Sequence, residues 1–338
     1  MAAHDDVIKA LLDDVGPAAN RDVLRDILRT AVGLAGDDAD RLDLKITAAA
    51  LKEMRAAFAM FKPLVDRPKV TIFGSARTRA DDPLYAQARD LAHELADRGW
   101  MIITGAGPGI MAAGAEGAGP ENAIGISIRL PFEEAPDPAV EEGTHTVAMK
   151  YFFTRKLMLM KESSAFVSLP GGFGTQDETL ELLTLLQTGK AIPAPLVLLD
   201  VPHGTYWHRW VAYVDGELVA GGLVSAEDDH LYLVTDDVAV AVAEIERFWH
   251  NYHSIRWVGS RLVVRLRHTP TAEEVADLDA SFTGALVDGH IEAGAPLPAE
   301  VADQDHLDLP RLVMHYDARQ AGRLRALINA VNLFPSAS

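Results

Sequence analysis

From Lys69 to Trp249 the chain repeats one pattern: a short apolar run, a glycine-bearing loop, then a helix. Val70–Phe73 reads as a strand that ends in Gly74-Ser75, and Asp82-Pro83 opens a helix that Arg98-Gly99 closes. Trp100–Thr104 is the next strand, followed by Gly105-Ala106-Gly107-Pro108-Gly109 and a helix of small residues through Ala118. Ala123–Ile128 and His145–Met149 read as further strands, the second leading into a helix over Tyr151–Lys161. Ala165–Leu169 runs into Pro170-Gly171-Gly172-Phe173-Gly174-Thr175 and a helix to Thr188, stopped by Gly189. Pro195–Leu199, an edge element at Tyr232–Val234 and a helix over Val238–Trp249 complete the series. Strands that are apolar throughout, and separated by helices, must be covered on both faces. The expected fold is therefore α/β, a doubly wound, Rossmann-like parallel sheet. In such sheets ligands bind where the strands end, and that is where the glycines lie.

The flanks differ. Residues 1–66 contain no convincing strand; Ala19–Ala31 and Ala48–Phe61 carry apolar residues at helical spacing, so an N-terminal helical segment is expected. The α/β domain is expected over residues 67–253 and a small α+β appendage over residues 254–338. In the appendage Arg261–Leu266 alternates like a strand, Thr271 starts a helix with Glu274 completing a capping box, and Leu312–Tyr316 leads into a helix over Ala318–Asn329. Ala293–Pro310 reads as a loop-rich connection.

Composition narrows the function. With 31 Lys and Arg against 49 Asp and Glu, the formal charge is −18. That surface repels a phosphate backbone, so nucleic acid is not an expected partner. A single phosphorylated ligand is different, because a pocket of backbone N–H groups and one or two cations outweighs the global sign. No cysteine is present, which removes disulfides, thiolate metal sites and cysteine nucleophiles and fits a cytoplasmic location. No apolar run is long enough to span a bilayer, and the acidic start MAAHDDVIKALLDD does not read as a signal peptide.

Within this frame the loop Pro170–Thr175 is the sharpest chemical feature. Gly171, Gly172 and Gly174 let backbone approach an anion, the following helix offers free N–H groups at its positive end, and Thr175 adds a hydroxyl. Glu178 reads two ways. Thr175-Gln176-Asp177-Glu178 has the spacing of a capping box; alternatively, a carboxylate one turn from a bound phosphate faces the ribose and its anomeric carbon. Arg155 and Lys156 interrupt the apolar helix MKYFFTRKLMLM as either a snorkelling edge or a ligand clamp. Ser75, with Gly74, and the loop carrying Gly107 and Gly109 could line the same crevice. That loop is G-x-G-x-G rather than the dinucleotide G-x-G-x-x-G, and Arg129 stands where a ribose-binding acid is expected. The histidines show no metal spacing, so no metal is expected.

Together these residues resemble a known family. PGGFGTQDE resembles the PGGxGTxxE motif, and Thr154-Arg155-Lys156 the Arg-Lys motif, of the LOG-type cytokinin riboside 5′-monophosphate phosphoribohydrolases, often labelled lysine decarboxylases. FGSAR and TGAGPGIMAA occupy the places of that family's other loops, and the likeness covers about the central half of the chain. It implies hydrolysis of the N-glycosidic bond of a nucleoside 5′-monophosphate such as AMP, releasing free base and ribose 5-phosphate. It implies Arg155 and Glu178 as the catalytic pair, with Gly171, Gly172, Gly174 and Thr175 holding phosphate, Ser75, Gly107 and Gly109 lining the site, and Lys156 among the residues that bind phosphate or nucleotide. It also implies no cofactor, water as second substrate, and a homodimer or larger assembly with the site near the subunit interface. Pyridoxal phosphate chemistry would require a distinguished lysine, and none stands out. Two departures leave open the choice between cytokinin nucleotides and broader nucleotide substrates: Thr78 where short members carry glycine, and the two flanking segments. A non-catalytic nucleotide or molybdenum-cofactor carrier is the alternative, and an NADP-dependent oxidoreductase using Arg129 a third.

Overall fold

The structure, a computed structural model, describes residues 2–16, 20–129 and 145–337. The chain divides into two compact units, Met1–Ala56 and Ala57–Ser338. In the first, α1 (Ala2–Val15) and α2 (Arg21–Gly36) are joined by a bidentate Arg29–Asp5 pair at 2.7 and 2.9 Å, and α3 (Arg41–Phe61) begins. The helix expected from Ala19 thus starts at Arg21, Ala19 itself lying outside the described residues.

The second unit carries a seven-stranded sheet in the order β4-β3-β2-β1-β5-β6-β7. Its strands are β1 (Lys69–Phe73), β2 (Met101–Thr104), β3 (Ala123–Ile128), β4 (Thr146–Met149), β5 (Ala165–Ser168), β6 (Leu196–Leu199) and β7 (Leu233–Thr235). Every neighbouring pair is parallel. The covering helices include α4 (Pro83–Asp97), α5 (Ile110–Ala118), α6 (Phe152–Lys161), α7 (Phe173–Gln187), α8 (Tyr206–Tyr213) and α9 (Val238–Phe248). Asp82 caps α4 by accepting from the Leu84 N–H, as its place before proline predicts. Val70, Ile72, Leu91, Ile102, Val167 and Leu199 share one buried core, and every residue of β1, β2, β5 and β6 is buried, as strands covered on both faces must be. Residues 130–144 of the expected α/β domain lie outside the described residues. Among the described residues no helix is long and apolar enough to cross a membrane.

Strand order reverses between β1 and β5. There the connections leave toward opposite faces, and the C-terminal strand ends open a crevice. The loops after β2, β1 and β5 therefore sit side by side, and they contain Gly105–Gly109, Gly74-Ser75 and Pro170–Gly172.

The C-terminal region holds more strand than its sequence pattern predicts. Two strand–helix units were expected; the sheet has four antiparallel strands in the order β10-β11-β9-β8. Besides β9 (Arg261–Leu266) and β11 (Arg311–Tyr316) it contains β8 (Tyr252–Val258), which runs across the boundary expected at residue 254, and β10 (Leu286–Ala293). β8 mixes polar residues on both faces, and β10 carries Gly289 at φ +75° with register shifts against β11, so neither shows clean alternation. A short helix, α11 (Pro298–Asp303), lies inside the segment expected to be loop, and α10 (Ala272–Phe282) starts with the Thr271/Glu274 capping box as expected. The last helix, α12 (Ala321–Val331), begins three residues after Ala318 and ties this sheet to α9. Arg325 pairs with Glu244 in the interior, its guanidinium 4.6 Å from the Phe248 ring centroid.

Candidate active site

The loop after β5 becomes α7 at Phe173, with Gly172 in the N-cap position. The first amide bonded within the helix is that of Gln176, to the Gly172 carbonyl at 3.1 Å, so the N–H groups of residues 173–175 have no intrahelical acceptor. Free amides at the positive end of a helix are groups that can hold an anion. Thr175 lies in the first turn rather than at the cap, which removes the capping box with Glu178. Buried Thr175 packs under Gly171, where a Cβ would stand 2.2 Å from the Thr175 hydroxyl; that position requires glycine. Thr179 fastens the turn from below, donating to the Thr175 carbonyl at 2.7 Å and meeting the Ser168 hydroxyl at 2.8 Å.

Released from capping, Glu178 faces Arg155. The guanidinium Nη1 lies 3.6 Å from Oε1, and both side chains are nearly enclosed, 9% and 14% exposed. Arg155 is otherwise held by backbone: Nε donates to the Ile126 carbonyl at 2.9 Å and Nη2 to the Gly105 carbonyl at 3.3 Å. One arginine thus joins the end of β2 and the interior of β3 to α7. Burial pushes the Glu178 carboxyl up to about 7, against the opposing pull of Arg155 and Lys156. Burial likewise lowers Arg155, against the effect of Glu178.

Lys156 stands next to Arg155 but is committed differently. Its Nζ lies 2.6 Å from Asp177 Oδ2 and 2.7 Å from Glu181 Oε2. Burial opposes its charge, yet these two carboxylates outweigh it and hold the ammonium above its ordinary pKa. Two anions already neutralise this lysine, so its evident work is to fix α6 against α7.

The loop after β1 is seated on the loop after β2. Ile110 N–H donates to the Ser75 carbonyl at 3.1 Å, and a Cβ on Gly109, at φ +69°, would meet that carbonyl at 2.3 Å. The Ser75 hydroxyl itself accepts from Arg77 N–H at 3.1 Å. Ala106 adopts φ +55°, a costly conformation for a residue with a Cβ, and its N–H reaches the Thr104 hydroxyl at 3.2 Å. Gly107 lies two residues from the carbonyl that holds Arg155. Arg129, by contrast, is exposed at the end of β3.

Sequence reasoning did not find Tyr206. Its hydroxyl donates to the Gly171 carbonyl at 2.7 Å and accepts from Gln176 Nε2 at 2.6 Å. The available signal was its place: the start of the helix after β6, beside β5, at the same end of the sheet.

The chain is similar to several known proteins. A family model described as "Possible lysine decarboxylase" matches residues 108–245. A cytokinin riboside 5′-monophosphate phosphoribohydrolase of Mycobacterium tuberculosis is 31% identical over 171 residues, covering 48% of this chain and 88% of that protein. The phosphoribohydrolase LOG1 of Arabidopsis thaliana is 27% identical over 190 residues, covering 55% and 86%. Among solved structures, the molybdenum cofactor carrier protein of Chlamydomonas reinhardtii aligns with TM-score 0.37 and 23% identity, over 54% of this chain and 97% of that one. The molybdenum cofactor binding protein of Rippkaea orientalis aligns with TM-score 0.39 and 17% identity, over 53% and 96%.

Proposed function

The chain belongs to the LOG-type family of phosphoribohydrolases, and on that premise we propose that it hydrolyses the N-glycosidic bond of nucleoside 5′-monophosphates. The substrate class includes AMP and cytokinin riboside monophosphates, and the products are free base and ribose 5-phosphate. The observation that carries this reading is the Arg155–Glu178 pair, 3.6 Å apart and one helical turn from the free N–H groups of residues 173–175.

The 5′-phosphate binds at the start of α7, held by backbone N–H groups at Gly172, Gly174 and Thr175, with Gly171 shaping the loop. That contact is remote from the reacting carbon and supplies orientation. Cleavage moves the C1′–N bond electrons to the base, which takes up a proton, while positive charge builds on the ribosyl ring. Ionised Glu178 stabilises that charge and accepts a proton from the water that attacks C1′. Its elevated pKa, about 7, suits an acid–base role near neutral pH. Arg155 keeps the carboxylate ionised and oriented, and Ser75, Gly107 and Gly109 form the neighbouring wall. Lys156 serves this site through Asp177 and Glu181 rather than by holding phosphate. No step calls for a cofactor.

We place the active form in a homodimer or larger assembly. Phe152, Phe153 and Leu157 on α6 are about half exposed, and Phe173, beside the phosphate loop, is 97% exposed, which is costly unless covered.

The test is direct. Purified protein is incubated with AMP, other nucleoside monophosphates and a cytokinin riboside monophosphate, and free base is followed by chromatography. Base release that disappears in Glu178→Gln, with nucleotide binding intact, is the expected outcome. Binding without base release from any monophosphate would replace the enzyme by a nucleotide or cofactor carrier.

A further inference from the structure

We infer that Tyr206 is a positioning residue that sets the phosphate affinity of the loop after β5, an assignment that rests on the reading above. Its phenol makes two hydrogen bonds, one to that loop and one to the first turn of α7: it donates to the Gly171 carbonyl at 2.7 Å and accepts from Gln176 Nε2 at 2.6 Å. The two contacts bracket the segment whose N–H groups face the anion. Fixing the Gly171 carbonyl also fixes the next amide. In a planar trans peptide the C=O of Gly171 and the N–H of Gly172 point in opposite directions, so a carbonyl held by Tyr206 turns the Gly172 N–H away from the phenol and leaves it free for a ligand. The Thr175 side chain occupies the space beside Gly171 that a Cβ would need, so the loop is confined there as well.

Tyr206 is itself anchored independently of the loop. Asp200, at the end of β6 and 5% exposed, accepts from the Tyr206 N–H at 2.9 Å through Oδ2 and from the Val201 N–H at 2.9 Å through Oδ1. Gly204 lets the chain close over that carboxylate, since a Cβ there would stand 2.2 Å from it. The Trp207 ring, fully buried, packs edge-on against Tyr206 with centroids 4.9 Å apart. β6 therefore supplies a rigid post, and the phenol transmits its position to the loop carried by the adjacent strand β5. A loop preorganised in this way binds an anion without first having to order its own amides.

The experiment measures ribose 5-phosphate binding by calorimetry, together with kcat and KM for AMP, in wild type, Tyr206→Phe and Gln176→Met. Tyr206→Phe keeps the ring and its packing and removes only the hydroxyl. The expected result is a Kd for ribose 5-phosphate raised about tenfold, the scale of one hydrogen bond. KM for AMP rises in step, kcat stays within about twofold, and binding of free adenine is unchanged. Gln176→Met gives a smaller shift in the same direction, and the double variant adds little to Tyr206→Phe because the two groups share one hydroxyl. An unchanged ribose 5-phosphate Kd in Tyr206→Phe, or a loss confined to kcat, overturns the inference. Wild type that binds ribose 5-phosphate yet hydrolyses no nucleotide overturns the proposed reaction alone. Wild type that does not bind it overturns both.

Discussion

Arg155 reaches Glu178 across 3.6 Å while its Nε and Nη2 donate to the carbonyls of Ile126 and Gly105. The cation is thus fixed by main chain of β3 and of the loop after β2 before any substrate arrives, and the carboxylate is placed by a helix anchored at Ser168 and Thr179. An electrostatic pair held in this way needs no rearrangement during the reaction. Arg155→Ala is therefore expected to lower kcat/KM for AMP by more than ~100-fold, the range for lost electrostatic stabilisation. Steady-state base release measures it, and wild-type-like turnover would remove Arg155 from the mechanism.

The pH dependence follows from Glu178. Burial raises its carboxyl to about 7 while Arg155 and Lys156 pull it down. In the proposed reaction its ionised form is the active one, so kcat/KM is expected to rise with pH through about 7 and to level above. Arg155→Gln removes a downward influence and should move the midpoint higher; a midpoint that moves lower would contradict the assignment. The same group affects stability. Its folded pKa lies above the unfolded value, so the folded state binds more protons between about 4.5 and about 7, and stability falls as pH rises through that window. Glu178→Gln cannot ionise, so it is expected to melt higher than wild type at pH 8 and about equally at pH 4.5.

Much of this arrangement was legible in the sequence, for identifiable reasons. A strand buried on both faces has to be apolar throughout, so β1, β2, β5 and β6 announce themselves, and glycines at their ends mark the crevice. Gly109 and Gly171 are needed because another backbone or side chain occupies the Cβ position. Glu178 was ambiguous in sequence because S/T-x-x-E has the same spacing whether Thr175 is the cap or the third helical residue; the start of α7 at Phe173 decides it. Tyr206 carried little signal beyond its place after β6, because its role depends on β6 lying beside β5, a relationship between residues 35 apart. β8 and β10 were invisible because neither shows a clean two-residue period.

Gly109 offers a test of the loop seating. At φ +69° with the Ser75 carbonyl 2.3 Å from its Cβ position, the site penalises any side chain twice, by conformation and by collision. Gly109→Ala is expected to cost about 1–3 kcal/mol of stability or to displace the loops after β1 and β2. Displacement would move the Gly105 carbonyl off Arg155, so activity should fall further than the loss of folded protein explains. Thermal melting beside active-site titration separates the two effects.

Beside the C-terminal sheet lie deeply buried charges. Glu300, wholly enclosed, receives Arg265 at 2.7 Å and Arg311 at 2.6 Å, and Asp305 adds a second carboxylate to Arg265 at 2.7 Å. The cluster pins α11 and the segment up to β11 onto β9. Removing one member of such a cluster leaves charge uncompensated where water cannot reach, so Glu300→Gln is expected to cost about 3–5 kcal/mol. The sign with pH is also determined. Burial pushes the Glu300 carboxyl up, but the Leu297 N–H and the two arginines outweigh it and hold it below the usual glutamate range. Stability from this group is therefore complete above about 4.5, the unfolded value, and is lost as pH falls toward the lower folded one. Denaturant titrations of wild type and Glu300→Gln from pH 7 to pH 3 should converge at the acid end. A constant gap across that range would mean that the loss does not follow the ionisation of the carboxylate, and would overturn the assignment.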